Sequence, residues 1–581
     1  MIPPFLVRRV CPASTALAAC LALTVVACVG NPGGENGSGG SSGSGGGSGG
    51  SGGSGSGGSF VTLPTTFPAP QACNSNNPGP RLLRRLTATQ VRTSIADLFQ
   101  DNTAPVSEIF NDQAYYGFRV DSPTLVVKDL NADQLMTNAE TVAAWAASGH
   151  MGQVGSCTTV DATCAKTLIQ GFGKRAYRSP IPDNDARIAR YTKIFMAEST
   201  FADAAAALIS TMLQSPYFLY RFELGSGSGN PVALTPYEVA TSLSYLLTGS
   251  TPDATLLGAA DMVAANKMKL GDMIDQNAQR LLGDLSSPAS QSGLMTFANG
   301  WLGLDRLYSN VKDDNVFKLT ASLRDSMTAE TRNLLVDTFK NDGSVADLLT
   351  ADHSFLNADL AAHYGLSVPG IGSSFQKVTY TSSMPRDGGL LAHGSILTGW
   401  ARADVSSPTQ RGRLVRSHFL CEGIPPPPDN LDVTFKPAAK ETTTRAHYEQ
   451  HSKCGGACHP AMDPIGFAFE HYDAFGRHRD QENGYPIDAT ATIVRGAASD
   501  VEVKADGLSG DQGLATALAQ NPGVNRCLVR YWSYYAYCVD SWSEDACTYN
   551  AIEKEAMGSD FALKNVLMGI LHAPHFTTRG Q

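Results

Sequence analysis

Apolar residues recur at helical spacing along most of the chain. In an early segment, Val91, Ile95 and Leu98 fall on one face of a helix, because residues three or four positions apart share a face. Thr87 and Gln90 have the spacing of a capping box, in which two side chains satisfy the first backbone amides. The pattern therefore predicts a helix that begins after Thr87.

The clearest helix start lies in the segment LTPYEVATSLSYLLTGSTPD. Thr235 is the expected N-cap, Pro236 the first helical residue, and Glu238 the side chain that reaches back to the cap. Gly249 follows the last apolar residue and can take the left-handed conformation that ends many helices. The segment predicts one helix with both of its ends defined.

Similar patterns predict an all-helical chain up to about residue 365. Asp183 is expected to cap a helix that contains Tyr191 and Phe195, and residues 201–224 are expected to form one helix. Residues 367–381 are rich in Gly, Ser, Val and Thr, a composition that favours a short hairpin. Further helices are predicted from residue 389 onward, including the last two, within residues 523–537 and 561–573.

The first 28 residues have the layout of an export signal. Arg8 and Arg9 precede an apolar run from Ala13 to Ala27 that is too short to span a membrane. Small residues lead up to Cys28, as in a bacterial lipobox, so Cys28 is the expected lipid anchor. The alternative is an ordinary signal peptide with an incidental cysteine. Residues 29–60 are almost entirely Gly and Ser and predict a flexible leash that spans about 30 Å.

Charge and cysteine content narrow the function classes. The chain has 44 basic and 54 acidic residues and no basic tract, which argues against a nucleic-acid partner. In an exported protein, cysteines pair by default. Cys157 and Cys164 are expected to form a local disulfide, and Cys527 and Cys547, on either side of an aromatic segment, are a second candidate pair.

The segment KCGGACHPAMDPIGFAFEHYD carries the main candidate chemistry. Cys454, Cys458 and His459 resemble the C-x-x-C-H attachment signature of c-type haem, with three residues between the cysteines instead of two. Under this interpretation the cysteines bind the porphyrin and His459 binds the iron. A zinc site would need a further ligand, and a Cys454–Cys458 disulfide beside an unrelated histidine is the third alternative.

Other ligands around this motif stay open. Met462 would lie on the same side of the iron as His459, which makes it a poor opposite axial ligand, and the iron could also be five-coordinate. The sequence does not rank the remaining candidates for that position: His447, His451, Met568, His572 and His575. Carboxylates crowd the same region and could hold Ca²⁺ or act as acid and base, but they lack calcium-loop spacing and more often cap turns or pair with Arg477 and Arg479: Asp463, Glu470, Asp473 and Asp488.

Several long segments together resemble one family. RRLTATQVRTSIADLF, LTPYEVATSLSYLLTGSTPD and CGGACHPAMDPIGFAFEHYDAFGRHRD occur in the order found in the planctomycete cytochrome-like proteins, exported multi-domain proteins that are also found in myxobacteria. The resemblance covers nearly all of residues 80–578. Members carry C-x-x-C-H before an M-D-P-x-G-F segment, and the corresponding positions here are Cys454, Cys458, His459, Met462, Asp463, Pro464, Gly466 and Phe467.

The expected fold class is mainly α, with a multi-domain helical body and a small irregular, cytochrome-c-like segment near the C-terminus. After the signal and the leash, the expected domains are 78–150, 157–225, 232–365, 384–495 with the cysteine motif, and 500–578.

The leading functional hypothesis is an outer-membrane-anchored or periplasmic lipoprotein with a single haem c that transfers electrons to an unknown redox or surface partner. The second is a haem-free binding or scaffold lipoprotein in which Cys454 and Cys458 are structural. The third is a surface hydrolase or oxidoreductase that uses the carboxylates around Asp463 and Asp473; no recognised motif supports it.

Overall fold

A computed structural model describes residues 78–580, except for 108, 110–111, 115–116, 121–124, 284, 387–388, 425–441, 452–457, 494–504 and 539–545. The predicted signal segment, Cys28 and the leash at 29–60 lie outside the described residues, and so does Cys454. The described chain is mainly α, as predicted, with strands of two to five residues.

The N-terminal part forms a helical layer around one core. Thr87 and Gln90 form the predicted capping box, with both hydrogen bonds at 3.1 Å. Val91, Ile95 and Leu98 are buried together in a core that extends to Leu219. The elements in chain order are β1 (Leu82–Arg85), α1 (Ala88–Phe99), α2 (Asp129–Ala147), α3 (Ala162–Ala176), α4 (Ala186–Phe195), α5 (Phe201–Leu213), α6 (Pro216–Leu219) and β2 (Tyr220–Glu223).

Two local predictions in this part are wrong. The N-cap of α4 is Asp185, whose Oδ1 accepts from the Arg187 backbone amide at 2.8 Å, whereas Asp183 instead accepts from Gln170. Residues 201–224 do not form one helix, because Pro216 disfavours helical geometry in the residue before it and begins a new short helix. The chain then continues as β2, which pairs with the distant β1.

The middle part is also helical, with short strands. Thr235, Pro236, Glu238 and Gly249 take their predicted cap positions around α7. The elements in this part are β3 (Val232–Ala233), α7 (Pro236–Thr248), α8 (Ala254–Ala264), α9 (Leu270–Leu282), α10 (Pro288–Leu302), α11 (Arg306–Ser309), α12 (Ala321–Lys340), α13 (Val345–Leu349), β4 (His353–Leu356), α14 (Ala358–His363) and β5 (Gln376–Thr379). β5 pairs with β4, so residues 367–381 supply one strand of a longer pairing and not a complete hairpin.

The C-terminal part mixes short helices and strands. A π-helical turn, Val415–Phe419, extends α16, and 3₁₀ turns occur at Leu390–Ala392 and Phe467–Phe469. The elements are α15 (Gly394–Gly399), α16 (Pro408–Leu414), α17 (Thr444–His451), α18 (Cys458–Gly466), β6 (Gln481–Glu482), β7 (Tyr485–Pro486), β8 (Thr490–Ile493), β9 (Ala505–Ser509), α19 (Gly510–Ala519), α20 (Pro522–Tyr537), α21 (Ala546–Met557), α22 (Leu563–His572), α23 (Pro574–Thr577) and β10 (Thr578–Arg579).

The described strands form five antiparallel pairs: β1 with β2, β3 with β10, β4 with β5, β6 with β7, and β8 with β9. The β3–β10 pair brings the C-terminal end beside the start of α7. A buried carboxylate reinforces this junction: Glu223 bonds Arg84 at 2.9 Å and Arg221 at 3.2 Å, and also bonds Arg579. These cations hold the pKa of Glu223 well below its usual value against the opposing effect of burial.

The largest core extends across the predicted domain segments, since buried apolar side chains from Phe118 to Phe576 form one cluster. A smaller cluster surrounds Met327 and Leu360. Among the described residues, none of the helices is long and apolar enough to cross a bilayer.

The disulfides confirm one cysteine prediction and correct another. Cys157 and Cys164 are bonded, as expected. Cys527 is bonded to Cys421 and not to Cys547. The physical reason is tertiary: α20 packs against the π-helical turn before Cys421, which brings the two Cα atoms to 5.3 Å across 106 residues of sequence.

Candidate functional site

The described part of the cysteine motif begins at α18. Cys458 is its first residue, but the structure describes neither the side chain of Cys458 nor any part of Cys454. The thioether predictions for the two cysteines therefore remain predictions. His459 and the residues after it are described, and they define the candidate site.

His459 and Asp463 form a pair one helical turn apart. His459 Nδ1 lies 2.9 Å from Asp463 Oδ2, and because a carboxylate can only accept, Nδ1 must carry the hydrogen. This bond is the main cause that raises the pKa of His459 above its ordinary value. With Nδ1 engaged, Nε2 is the nitrogen with a lone pair, the arrangement found in most metal-binding histidines.

The fold holds Asp463 in place from the other side. The Asp463 residue is only 2% exposed, and its Oδ1 accepts from Thr409 Oγ1 at 2.6 Å. Thr409 lies on α16, so the carboxylate connects α16 to the ring of His459. The imidazole side chain itself is 38% exposed. A buried carboxylate thus orients a histidine that solvent or a ligand can still reach.

Two glycines allow α16 and α18 to approach closely. A Cβ on Gly412 would lie 1.9 Å from the carbonyl oxygen of Met462, and a Cβ on Gly466 would lie 1.9 Å from that of Pro408. Neither position can therefore carry a side chain without separating the helices. The close approach is what brings Thr409 within hydrogen-bond distance of Asp463.

Arg411 fixes the loop that follows α18. Its fully buried guanidinium donates to the carbonyl oxygens of Leu397, Phe469, Tyr472 and Asp473, at 2.6 to 3.0 Å. Burial lowers the pKa of Arg411 to about 10, so it is still charged at neutral pH. One cation thereby satisfies a set of buried carbonyl groups and sets the path of the chain beyond the motif.

A cavity of about 450 Å³ opens beside His459. This volume falls within the range of roughly 300–1,000 Å³ that is usual for small-molecule and cofactor sites. Arg445 lies on its wall, bonded to Glu449 at 2.9 Å and stacked over Phe467 at 4.6 Å. The lining residues are Arg445, Glu449, His459, Pro460, Asp463, Pro464, Phe467, Thr490 and Thr492.

The residues predicted as candidates for a second iron ligand lie at different distances from His459 in the fold. The helix α17, which carries His447 and His451, lies beside the site, since the ring of Tyr448 is 6.4 Å from that of His459. Met462 is buried in the core. His572 bonds Asp275 through Nε2 and Glu555 through Nδ1, so both of its ring nitrogens are engaged.

Neither of the other two distant candidates is brought to the cavity. His575 is buried against Tyr537 on α20, and Met568 packs against the main core. Neither residue lines the cavity beside His459.

The four crowded carboxylates have different partners: Asp463 contacts His459, and Asp488 pairs with Arg445 at 3.3 Å. Asp473 accepts from the backbone amides of Phe475 and Arg477 and pairs with the Arg477 side chain at 2.7 Å. Glu470 is buried and pairs with Arg479 at 3.3 Å. Each therefore caps a turn or balances a cation, which confirms the predicted pairing with these two arginines.

The sequence motif predicted His459 and Asp463 as separate candidates but not their pairing, and it did not indicate Thr409 or Arg445. The four-residue spacing from His459 to Asp463 was a local signal that could have identified the pair. Thr409 and Arg445 could not be found in this way. Thr409 reaches the site only through the packing of α16 on α18, and Arg445 through its contact with the ring of Phe467.

Comparison with protein families gives four matches in chain order. They are PSD3, protein of unknown function (DUF1587), at residues 84–148; PSD5, protein of unknown function (DUF1595), at 164–223; PSD4, protein of unknown function (DUF1592), at 234–366; and PSCyt3, protein of unknown function (DUF1588), at 387–482. Together they cover more than half of the chain, and the PSCyt3 match contains His459 and Asp463. No curated protein and no solved structure gives a significant match.

Proposed function

The chain belongs to the planctomycete cytochrome-like family of multi-domain proteins, and from this premise we propose that it is an exported lipoprotein that transfers single electrons at the cell envelope. The proposed centre is one haem c in the PSCyt3 segment. Cys454 and Cys458 would form the two thioether bonds, and His459 Nε2 would bind the iron. When bound, this group supplies a one-electron redox couple.

The single observation that carries the proposal is the bond between His459 and Asp463. A metal-bound histidine usually donates its second ring N–H to a carboxylate or a carbonyl group, which fixes the ring and raises its basicity. His459 makes such a bond at 2.9 Å to a buried carboxylate that Thr409 also holds. The donor chemistry and the adjacent cavity therefore fit a histidine that would bind the iron of a haem group.

The remaining residues of the chain have distinct roles in this proposal. Asp463 orients the imidazole and takes part of the positive charge that His459 gains as a ligand. Arg445 pairs with Glu449 at 2.9 Å and with Asp488 at 3.3 Å and would hold the cavity wall in place. The helical body provides a surface for a redox or surface partner.

Export and anchoring belong to the same proposal. Cys28 would carry the lipid, and residues 29–60 would link the folded body to the membrane at a distance. The protein would then be located at the outer membrane or in the periplasm. Replacement of Cys28 by Ser should move the protein from the membrane fraction to the soluble fraction. Continued membrane attachment of that variant would contradict the anchor.

A haem-free scaffold is the second candidate function. It is favoured by the continuous core from Phe118 to Phe576, which is far larger than a small electron carrier needs. In this case Cys454 and Cys458 would serve a structural purpose, and His459 would be a surface histidine paired with Asp463.

Covalent haem staining separates the two candidates. The protein is expressed in a host with cytochrome c maturation and stained for peroxidase activity after a denaturing gel. We expect a signal from the wild type and none from the double variant Cys454→Ser, Cys458→Ser. The double variant Cys157→Ser, Cys164→Ser also removes two cysteines, which are bonded to each other, and should keep the signal. A wild type without stain supports the scaffold.

Iron coordination is tested with a matched histidine pair. His459 and His572 have side chains that are 38% and 39% exposed, and each contacts an aspartate. We expect His459→Gln to change the haem absorption spectrum and His572→Gln to leave it unchanged. Identical spectra for both variants would remove His459 from the proposed ligand set.

A further inference from the structure

Two histidines and one aspartate come together after α18, beyond Cys454, Cys458 and His459. Ligand atoms of His471, His478 and Asp480 all lie within 4.8 Å of one another. The two imidazole rings are nearly parallel, with centroids 5.4 Å apart, and His478 Nε2 is 3.9 Å from Asp480 Oδ1. We propose that these three side chains bind one divalent late first-row transition-metal ion such as Zn²⁺ or Cu²⁺.

The backbone fixes the positions of all three residues. Tyr472 and His478 form an antiparallel bridge, and the Arg479 amide donates to the His471 carbonyl oxygen at 2.7 Å. The Asp480 carbonyl oxygen accepts from the Ile487 amide at 3.0 Å. The ligands therefore sit on a turn that is already folded, so the entropy lost on binding an ion is small.

The carbonyl oxygen of Arg479 holds the ring of His471. His471 Nδ1 lies 3.1 Å from this oxygen and 4.0 Å from Asp480 Oδ1. In the tautomer that donates to the carbonyl oxygen, Nδ1 carries the hydrogen and Nε2 has the lone pair, so Nε2 is the atom that would bind the ion once the ring has turned toward the other two ligands.

The spacing requires only a small adjustment. Zinc binds nitrogen and oxygen ligands at about 2.0–2.2 Å, which places tetrahedral ligand atoms roughly 3.4 Å apart. The Asp480 side chain is 83% exposed and can rotate toward the two rings. Three protein ligands leave one position for water, and a pair of imidazoles with one carboxylate favours zinc or copper over calcium or magnesium.

The local charges favour a cation. Arg479 lies between His478 and Asp480 in sequence, but its guanidinium bonds Glu482 at 2.7 Å and Glu470 at 3.3 Å. It therefore does not neutralise Asp480.

Calorimetric titration of the full mature chain with Zn²⁺, repeated with Cu²⁺, tests the site. Asp480→Asn is the primary variant, because an exposed side chain can be replaced without disturbing the fold. His478→Gln is the second variant, and His353→Gln is its control, since both side chains are 17% exposed. His353 contacts Asp352 through Nδ1 and Asp337 through Nε2, and Lys377 also pairs with Asp337 at 2.9 Å. His353 and its aspartates therefore cannot chelate an ion in the same way.

We expect the wild type to bind one ion per chain at this site. Asp480→Asn and His478→Gln should each raise the Kd for that ion by at least about tenfold, and His353→Gln should leave it unchanged. Equal binding by the wild type and both variants overturns the site. An effect of His478→Gln without one of Asp480→Asn, or an equal effect of His353→Gln, also overturns it. Ions held at Cys454, Cys458 or His459 do not affect these differences, so failure of this site leaves the haem proposal untouched.

Discussion

The contact between α16 and α18 predicts a large effect of one added methyl group. Gly412 lies against the backbone of Met462, and a Cβ at this position would be 1.9 Å from the Met462 carbonyl oxygen. Because Cβ atoms essentially never approach closer than 3.0 Å, the two helices would have to separate by at least 1.1 Å, the difference between these two distances. The atoms that this Cβ would meet, on Met462 and Gly466, belong to the helix backbone. No side chain can therefore move aside to absorb the strain.

The separation would also break the bond that supports His459. Thr409 Oγ1 and Asp463 Oδ1 are 2.6 Å apart, and an increase of this size takes them beyond hydrogen-bond distance. Overpacking costs about 1–3 kcal/mol, and a lost bond to a buried charged group costs about 1.5–3 kcal/mol. We therefore expect Gly412→Ala to destabilise this part of the protein by about 2.5–6 kcal/mol.

Hydrogen exchange of the α18 backbone amides is the appropriate assay, because it reports local opening in a large protein. Gly412→Ala should accelerate exchange in α16 and α18. The control is Gly171→Ala in α3, where an added Cβ meets nothing within 4 Å and the helix should gain about 0.5–1 kcal/mol. Unchanged exchange in α18 of Gly412→Ala would refute the close-contact argument.

Three further predictions concern charge and covalent structure. Burial lowers the pKa of His418 to about 4. Below pH 6.5 the unfolded chain therefore binds more protons at this residue than the folded chain does. The free energy of unfolding should fall by roughly 3 kcal/mol between pH 6.5 and 4. Thermal unfolding of His418→Gln should show a flatter pH dependence, and an identical profile would contradict the assignment. In the chain without attached haem, Asp463→Asn removes the carboxylate that raises the pKa of His459, so this pKa should fall in an NMR titration. The stabilisation from that pair is complete below the unfolded pKa and is lost as pH rises through the folded pKa, and the variant should lack this loss. Cys421→Ser opens a disulfide that closes 106 residues and should destabilise the protein by about 2–5 kcal/mol in denaturant unfolding. Peptide mapping without reductant should link Cys421 to Cys527, and another partner for Cys527 would contradict the structure.

Features that depend on neighbours in sequence could be predicted. The caps at Thr87 and Thr235 rest on side chains three residues away, and the disulfide from Cys157 to Cys164 closes one short loop. The cap of α4 was misplaced because Asp183 and Asp185 are both suitable, and only the contact of Asp183 with Gln170 distinguishes them.

Features that depend on distant packing could not be predicted. Cys421 and Cys527 meet only because α20 packs on the π-helical turn. β2 looked helical because its apolar residues fit either pattern, and its partner β1 lies 139 residues away at the Arg84–Glu223 pair. The His471 and His478 rings stack because a turn folds the chain back, which residue spacing alone does not reveal.

The central claim is that Cys454 and Cys458 carry covalent haem while His459 serves as its ligand. The most direct measurement is the intact mass of the chain purified from its own envelope without reductant. The account predicts a mass that exceeds the mature lipidated chain by one haem, with the addition located on the peptide that contains Cys454 and Cys458. A chain without this addition, whose peptide carries a disulfide between those two cysteines, would contradict it.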